Sequence, residues 1–269
     1  MCLKNAINWI CLPSVLLWTL AVQASPNFFG QTPKILPLGD SITSGDYTHI
    51  SYRRDLWFLF DNAGLTVDYV GSNFVNSFSN ASLLDFDLDH EGHYAWTTDG
   101  VNDELGQWLQ GYTPDIALIH LGTNDVDQGQ PVAGIIAELS TTISLLRADN
   151  PNMLILLAKI IPMRNVDVSS YNSAVATLAL ALDSEASPIV LVDHAENYDP
   201  FILNHDKWHP NSAGEAEMAQ RWFTALEPFF EEVAGDTAQY SVPIGGLSAP
   251  LLLGMFIFMQ TVRRPKKIN

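Results

Sequence analysis

The chain is expected to form a three-layer α/β/α fold with a five-stranded parallel sheet between two layers of helices. Two observations carry this expectation. Apolar runs of strand length recur at residues 35–38, 67–70, 116–121, 154–161 and 189–192. Helix-length amphipathic stretches at 52–63, 101–109, 132–148 and 170–186 fall between them, and a last one runs from about 213 to 233. Parallel neighbours need crossovers of that length, so the alternation points to one domain with a parallel sheet.

The elements follow in order. The first run ends in Gly39-Asp40-Ser41, and the helix at 52–63 leads to the second run. Residues 73–98 are the longest stretch without periodicity, rich in Ser, Asn and Asp, and contain Trp96. A loop of that length inside a compact domain is expected to be functional, here on the substrate side. The third run is followed directly by Gly122-Thr123-Asn124-Asp125, and the last helix is preceded by Asp206-Lys207-Trp208-His209 between Pro200 and Pro210. Sites in open α/β sheets form beyond the carboxyl ends of the strands. Ser41, Asn124, Asp206 and His209 are thus expected at one sheet edge.

Those residue types in that arrangement point to acyl transfer. A serine hydroxyl is almost fully protonated at neutral pH and attacks an ester only when a base removes its proton as the bond forms. His209 is of the type that does so near pH 7, and Asp206, three residues earlier, can hold the other imidazole nitrogen. Asn124 supplies a side-chain donor for the developing oxyanion, with the backbone N–H of Ser41 as a second. Asp40, beside the nucleophile, is expected to satisfy N–H groups of its own turn. No Gly-x-Ser-x-Gly elbow is present, which argues against the α/β-hydrolase version of this chemistry.

The four clusters together resemble the SGNH, or GDSL-type, hydrolases, and that likeness implies a flavodoxin-like strand order. Further stretches narrow it: Ser51-Tyr52-Arg53-Arg54-Asp55-Leu56-Trp57, Val67-Asp68-Tyr69-Val70-Gly71-Ser72, Asp89-His90-Glu91-Gly92-His93 and Trp96-Thr97-Thr98 are similar to the third family of carbohydrate esterases, the acetylxylan esterases. The similarity spans most of residues 34–215. It implies deacetylation of a polysaccharide, no metal and no organic cofactor, and a third oxyanion donor in a small-Gly pair before Trp96. That pair is Tyr94-Ala95 here, a departure; Ala95 is expected to donate if its φ is negative, with Gly92 as the alternative. Trp96 is then a candidate for stacking on a sugar face. A lysophospholipase or thioesterase of the same fold, or a surface glycan-binding protein without turnover, are the rival readings.

Composition limits the partners. The formal charge is −17, and all 30 acidic residues lie between the terminal segments, while five of the 13 basic ones (Lys4, Arg263, Arg264, Lys266 and Lys267) lie within them. Such a surface repels nucleic acid and anionic membranes and suits a neutral substrate. The acidic run 85–90 fails as an EF-hand, since His90 stands where Gly is required and Trp96 where the bidentate Glu is required. A solvated loop is expected there. His90-Glu91-Gly92-His93 likewise lacks the spacing of a zinc-binding His pair.

Both ends read as targeting segments. Residues 1–24 carry Lys4, then an apolar stretch ending in Val22-Gln23-Ala24, the pattern of a secretory signal cut after Ala24. Both cysteines, Cys2 and Cys11, fall inside it, which leaves residues 25–236 as the catalytic domain without a thiol. After a linker at 237–243, residues 244–262 are 19 uncharged residues followed by a basic tail at 263–269. That length suffices to cross a bilayer, with the basic flank on the cytoplasmic side and the body outside. The tail also resembles bacterial sorting signals that a protease processes. Export to the periplasm or cell surface is the expectation, with retention or cleavage of the anchor both open.

Overall fold

Alternation along each strand decides which layer of helices it meets. The computed structural model describes residues 26–46, 50–74 and 85–231. Strand β1 (Lys34–Gly39) presents Leu36 and Leu38 to one helical layer and Ile35 to the other, as the two-residue period of a strand requires. Helix α1 (Ser41–Ser44) follows immediately, then α2 (Tyr52–Asn62) and β2 (Asp68–Tyr69). Next come β3 (Glu91–Gly92), α3 (Thr98–Trp108), β4 (Ile116–His120), α4 (Thr123–Asp127) and α5 (Val132–Asp149). The chain continues through β5 (Leu154–Lys159), α6 (Ser169–Leu182), β6 (Ile189–Asp193), α7 (Pro200–Leu203) and α8 (Ser212–Leu226), closing with a 3₁₀ turn at Glu227–Phe230.

The sheet runs β2-β1-β4-β5-β6 and every pairing is parallel, so the five expected strands are present in flavodoxin-like order. A sixth, β3, was not anticipated. It lies along the far half of the same β1 edge that β2 occupies: Lys34 faces Asp68, while Leu38 faces Glu91. One side of the sheet packs against α3, α5 and α6 through Leu105, Leu139 and Val175; the other packs against α2 and α8 through Phe60, Met218 and Trp222. The β4 side chains are all buried, as the continuous apolar run implies for a strand covered on both faces.

The boundaries differ from the expected ones for local reasons. The apolar run at 154–161 ends as a strand at Lys159 because Asn172 takes over the next backbone groups, its Oδ1 accepting from the Ile160 N–H and its Nδ2 donating to the Ile160 carbonyl, each at 3.0 Å. The last helical stretch changes to a 3₁₀ turn at Glu227-Pro228, since proline cannot donate to the preceding turn. The short helices α1, α4 and α7 carry too few residues to show a period.

Chain contacts divide the molecule into Met1–Glu232 and Val233–Asn269. The expected signal at 1–24, linker at 237–243, membrane segment at 244–262 and tail at 263–269 lie outside the described residues. Among the described residues no helix is long and apolar enough to cross a membrane.

Candidate active site

The turn that bears Ser41 is a consequence of close packing at the end of β1. A Cβ on Gly39 would lie 2.2 Å from Thr43 Oγ1 and 2.7 Å from the His120 carbonyl oxygen, so only glycine lets the strand turn there into α1. Asp40 caps that helix, its Oδ1 accepting from the Ile42 N–H at 3.0 Å. Burial pushes the Asp40 carboxyl up to about 6, and the Ile42 N–H pulls in the opposite direction. The expectation that Asp40 serves its own turn agrees with this geometry.

Arg53 holds the same turn from behind, and sequence reasoning assigned it no role. Fully buried, its guanidinium donates from Nε to the Thr43 carbonyl (2.8 Å), from Nη2 to the Ser44 carbonyl (3.1 Å) and from Nη1 to the Leu88 carbonyl (2.9 Å). Its signal was its place among the buried α2 positions Tyr52, Leu56 and Phe60, where an arginine needs dedicated acceptors.

Ser41, His209 and Asp206 are joined in one hydrogen-bonded chain. His209 Nε2 lies 2.9 Å from Ser41 Oγ, and His209 Nδ1 lies 2.7 Å from Asp206 Oδ2. An ionised carboxylate only accepts, so Nδ1 carries the proton and Nε2 is left to accept from the serine hydroxyl. Ser41 and His209 are 7% and 6% exposed, enough for an ester to reach and little enough to exclude bulk water. Burial opposes the Asp206 charge. The His209 ring and the backbone N–H groups of His209 (2.7 Å) and Trp208 (2.8 Å) outweigh it and hold the carboxyl below its ordinary range. The loop is fixed at both ends: Asn211 caps α8 through the N–H groups of Ala213 and Gly214, and Asp127 accepts from Lys207 and from Trp208 Nε1.

The oxyanion candidates divide. Gly39 and His120 are opposite one another in the β1/β4 register, so Ser41 and Asn124 follow adjacent strand ends. Gly122 has φ 104°, and Asn124 Nδ2 donates to the Trp96 carbonyl at 2.8 Å, which orients the amide. Among the described residues no hydrogen bond engages the Ser41 N–H, which sits in the first turn of α1.

Ala95 has φ +63°, so the condition set for it from sequence, a negative φ, is not met. The left-handed conformation is the one a glycine in this pair would adopt freely. The Ala95 N–H nevertheless has no partner among the described residues. Gly92 is the poorer alternative, because its N–H already donates to His90 Nδ1 at 2.9 Å.

The segment 85–98 bears on two expectations. The acidic run 85–90, expected as a solvated loop, is solvated only in part: Asp85 is exposed, whereas His90 is 1% and the adjoining Glu91 0% exposed. Glu91 accepts from Ser72, from Tyr112 Oη and from His93 Nε2, the last at 2.7 Å, which ties β2, β3 and the end of α3 together. Trp96 is packed: its ring centroid lies 4.7 Å from His93 and 5.6 Å from Trp108. The open aromatic is Tyr94, 40% exposed, whose ring lies nearly parallel to His209 at 6.2 Å. Its only sequence signal was the departure at 94–95.

Behind the site lies a buried polar row that sequence reasoning passed over. His120 Nε2 accepts from the Ile161 N–H at 3.3 Å, and its ring is 5.8 Å from that of His194, which meets Trp222 edge-on at 4.6 Å. Burial pushes His120 down to about 4 and His194 well below its ordinary value, the latter further lowered by His120 and Arg221.

The model of the GDSL-like Lipase/Acylhydrolase family matches residues 38–216. A multidomain esterase of Ruminococcus flavefaciens is 28% identical over 249 residues, covering 82% of this chain and 32% of the relative, so the chain spans about a third of that protein's length. A family 3 carbohydrate esterase from Talaromyces cellulolyticus superposes with a TM-score of 0.68 at 31% identity, over 76% of this chain and all of that one. An acetyl esterase mutant with an acetate ion gives 0.67 at 31% identity, over 74% and 98% of the two chains. A family 3 carbohydrate esterase from Clostridium thermocellum gives 0.66 at 27%, over 74% and 98%.

Proposed function

This chain belongs to the GDSL-like lipase/acylhydrolase family, and from that premise we propose that it is an exported serine esterase that removes acetyl groups from a neutral polysaccharide. That it is an esterase of carbohydrate-esterase type follows from its relatives. The finer reading rests above all on one observation, the unbroken chain from Ser41 Oγ through the His209 ring to Asp206.

In this reading Ser41 Oγ bonds to the acetyl carbon as its proton passes to His209 Nε2. Asp206 stabilises the imidazolium without taking a proton itself. The carbonyl electrons move onto oxygen, where the Ser41 N–H, the second Nδ2–H of Asn124 and the Ala95 N–H are the proposed donors. Collapse of the intermediate expels the sugar oxygen, which takes the proton from His209. Water, activated by the same histidine, then releases acetate and restores Ser41. Tyr94 is the proposed contact for the sugar, because its exposed ring stands beside the base.

The location is proposed from the sequence: the signal-like residues 1–24, and the apolar 244–262 with its basic flank, favour an enzyme outside the cytoplasm and anchored at least transiently. Acetate, butyrate and octanoate esters compared by kcat/KM, with acetate release from acetylated xylan, test the substrate. Falling kcat/KM with chain length and release of acetate are expected. Rising kcat/KM with no acetate release would replace this reading by the lipase-like one, and no turnover of any ester would leave a binding protein.

A further inference from the structure

Three carboxylates on three different helices converge beside the Asn124 turn. Asp99 lies in the first turn of α3, Asp125 in α4 and Glu138 in α5, and one carboxylate oxygen from each lies within 4.8 Å of those from the other two. Each of the three binds a protein donor through one oxygen. Asp99 Oδ1 accepts from Thr97 Oγ1 and the Gly100 N–H, Asp125 Oδ1 from the Thr98 N–H at 2.9 Å, and Glu138 Oε1 from Gln130 Nε2 at 2.7 Å. The second oxygens of Asp125 and Glu138 are buried and have no hydrogen-bond partner among the described residues.

Crowded acidic groups on a surface are common and mean little by themselves. Asp125 is different, because it is 0% exposed and its Oδ2 has no hydrogen-bond partner among the described residues. Among the described residues no Lys, Arg or His forms an ion pair with any of the three. Burying carboxylate oxygens together without a counter-charge costs several kcal/mol per ion, a cost that a bound cation would relieve. The other cluster of potential ligands, His205, Asp206 and His209, belongs to the catalytic chain, where both His209 nitrogens are already engaged.

We propose that Asp99, Asp125 and Glu138 form a binding site for a divalent cation of the calcium class, which clamps the turn bearing Asn124. The donor set is all oxygen, which suits a hard cation and excludes the nitrogen- and sulfur-rich sites of zinc. Oxygens around Ca²⁺ at about 2.3–2.6 Å stand up to about 5 Å apart, in keeping with the observed spacing, and exposed Asp99 leaves room for water to complete the shell. The ion would join α3, α4 and α5 at the point where Asn124 Nδ2 meets the Trp96 carbonyl and Asp125 meets the Thr98 N–H. Its effect on catalysis rests on the oxyanion role proposed for Asn124, whereas its binding does not.

The test uses the full chain, freed of metal with EDTA and desalted, then titrated with CaCl₂ by calorimetry and melted with and without millimolar CaCl₂. One ion per chain and a Tm raised by about 5 °C are expected. Glu138→Gln and Asp99→Asn should each weaken binding at least about tenfold; Asp99, exposed at a helix start, serves if the Glu138 variant does not fold. Wild type without the ion should lose kcat with KM little changed. Neither heat nor a Tm shift with Ca²⁺, Mg²⁺ or Mn²⁺ would overturn the site and leave a protonated carboxyl as the way the charges are relieved. Binding unaltered in both variants would overturn the ligand assignment, and binding without any effect on kcat would overturn the clamp while leaving the esterase reading untouched.

Discussion

The loop that carries Asp206 and His209 and the segment 85–98 are both rich in polar residues, yet only in the first does the structure join the residues that the sequence reading grouped. In the first, the partners are local: Asp206 accepts from the N–H groups of Trp208 and His209 and from the His209 ring, all within three residues. In the second, His93 apart, they are remote. Glu91 meets Ser72 and Tyr112, 19 and 21 residues away. A carboxylate whose donors lie nearby leaves a spacing in the sequence, whereas one satisfied by distant donors looks like a solvated charge until the sheet brings them together.

The sharpest way to break the comparison is at the local end. His209→Ala removes the base and should lower kcat/KM by about 10⁴-fold or more, while Asp206→Ala leaves the base in place and should cost less. Steady-state kinetics on a short-chain ester decides. Near-wild-type activity in a folded His209→Ala would show that the spacing of this loop was read as chemistry when it was only a helix start. Asn124→Ala should lower kcat by roughly 10²–10³ with little change in KM, because an oxyanion donor acts as charge develops. A change confined to KM would reduce Asn124 to a substrate contact.

The buried histidines give a pH test of the remote kind. In the folded chain His120 is held near 4 by burial, against about 6.5 when unfolded, so it stays neutral inside while the unfolded chain takes up a proton. The stability this supplies is complete above about pH 6.5 and is lost as pH falls towards 4. For a group so buried it amounts to about 3 kcal/mol. His194 acts in the same direction. Asp40, raised to about 6, acts in the opposite one, since its cost grows as pH rises from 3.8. Urea midpoints at pH 7.5 and 4.5 should show a net loss on acidification that is smaller in His120→Gln. An unchanged loss in that variant would remove His120 from the account.

How much was legible follows from where each interaction closes. Strands β1, β4 and β5 announced themselves because their buried runs are nearly continuous, and Ser41 and Asn124 could be placed because their turns follow such runs. β3 could not be, because two residues carry no period and its pairing with Leu38 and Gly39 is set only once β1 is in the sheet. Arg53 and His120 were hidden inside stretches read simply as helix and strand, where a polar residue among apolar ones gains its meaning from acceptors on other elements.

Glu91 measures the remote latch directly. Glu91→Ala leaves Tyr112, His93 and Ser72 without their acceptor and should cost roughly 2–4 kcal/mol in urea-induced unfolding. A solvated residue would change stability by no more than about 0.5 kcal/mol. The second result would make Glu91 a continuation of the solvated loop expected from sequence at 85–90.

The smallest effect is expected at Ala95, where sequence and structure differ by the sign of one angle. At φ +63° the alanine Cβ crowds its own backbone, a cost of roughly 1–2 kcal/mol that glycine does not carry. Glycine regains only part of it, because its unfolded chain is the more flexible. Ala95→Gly should therefore stabilise the protein by about 0.5–1 kcal/mol and leave the N–H where it is. Proline, which would delete that N–H, is unsuitable as the probe because its φ is locked near −65°. If Ala95 is an oxyanion donor, kcat in the glycine variant should be maintained, since relief of strain does not move the donor. Destabilisation instead would mean that the backbone at 95 is not left-handed, and the negative φ set for it from sequence would stand after all.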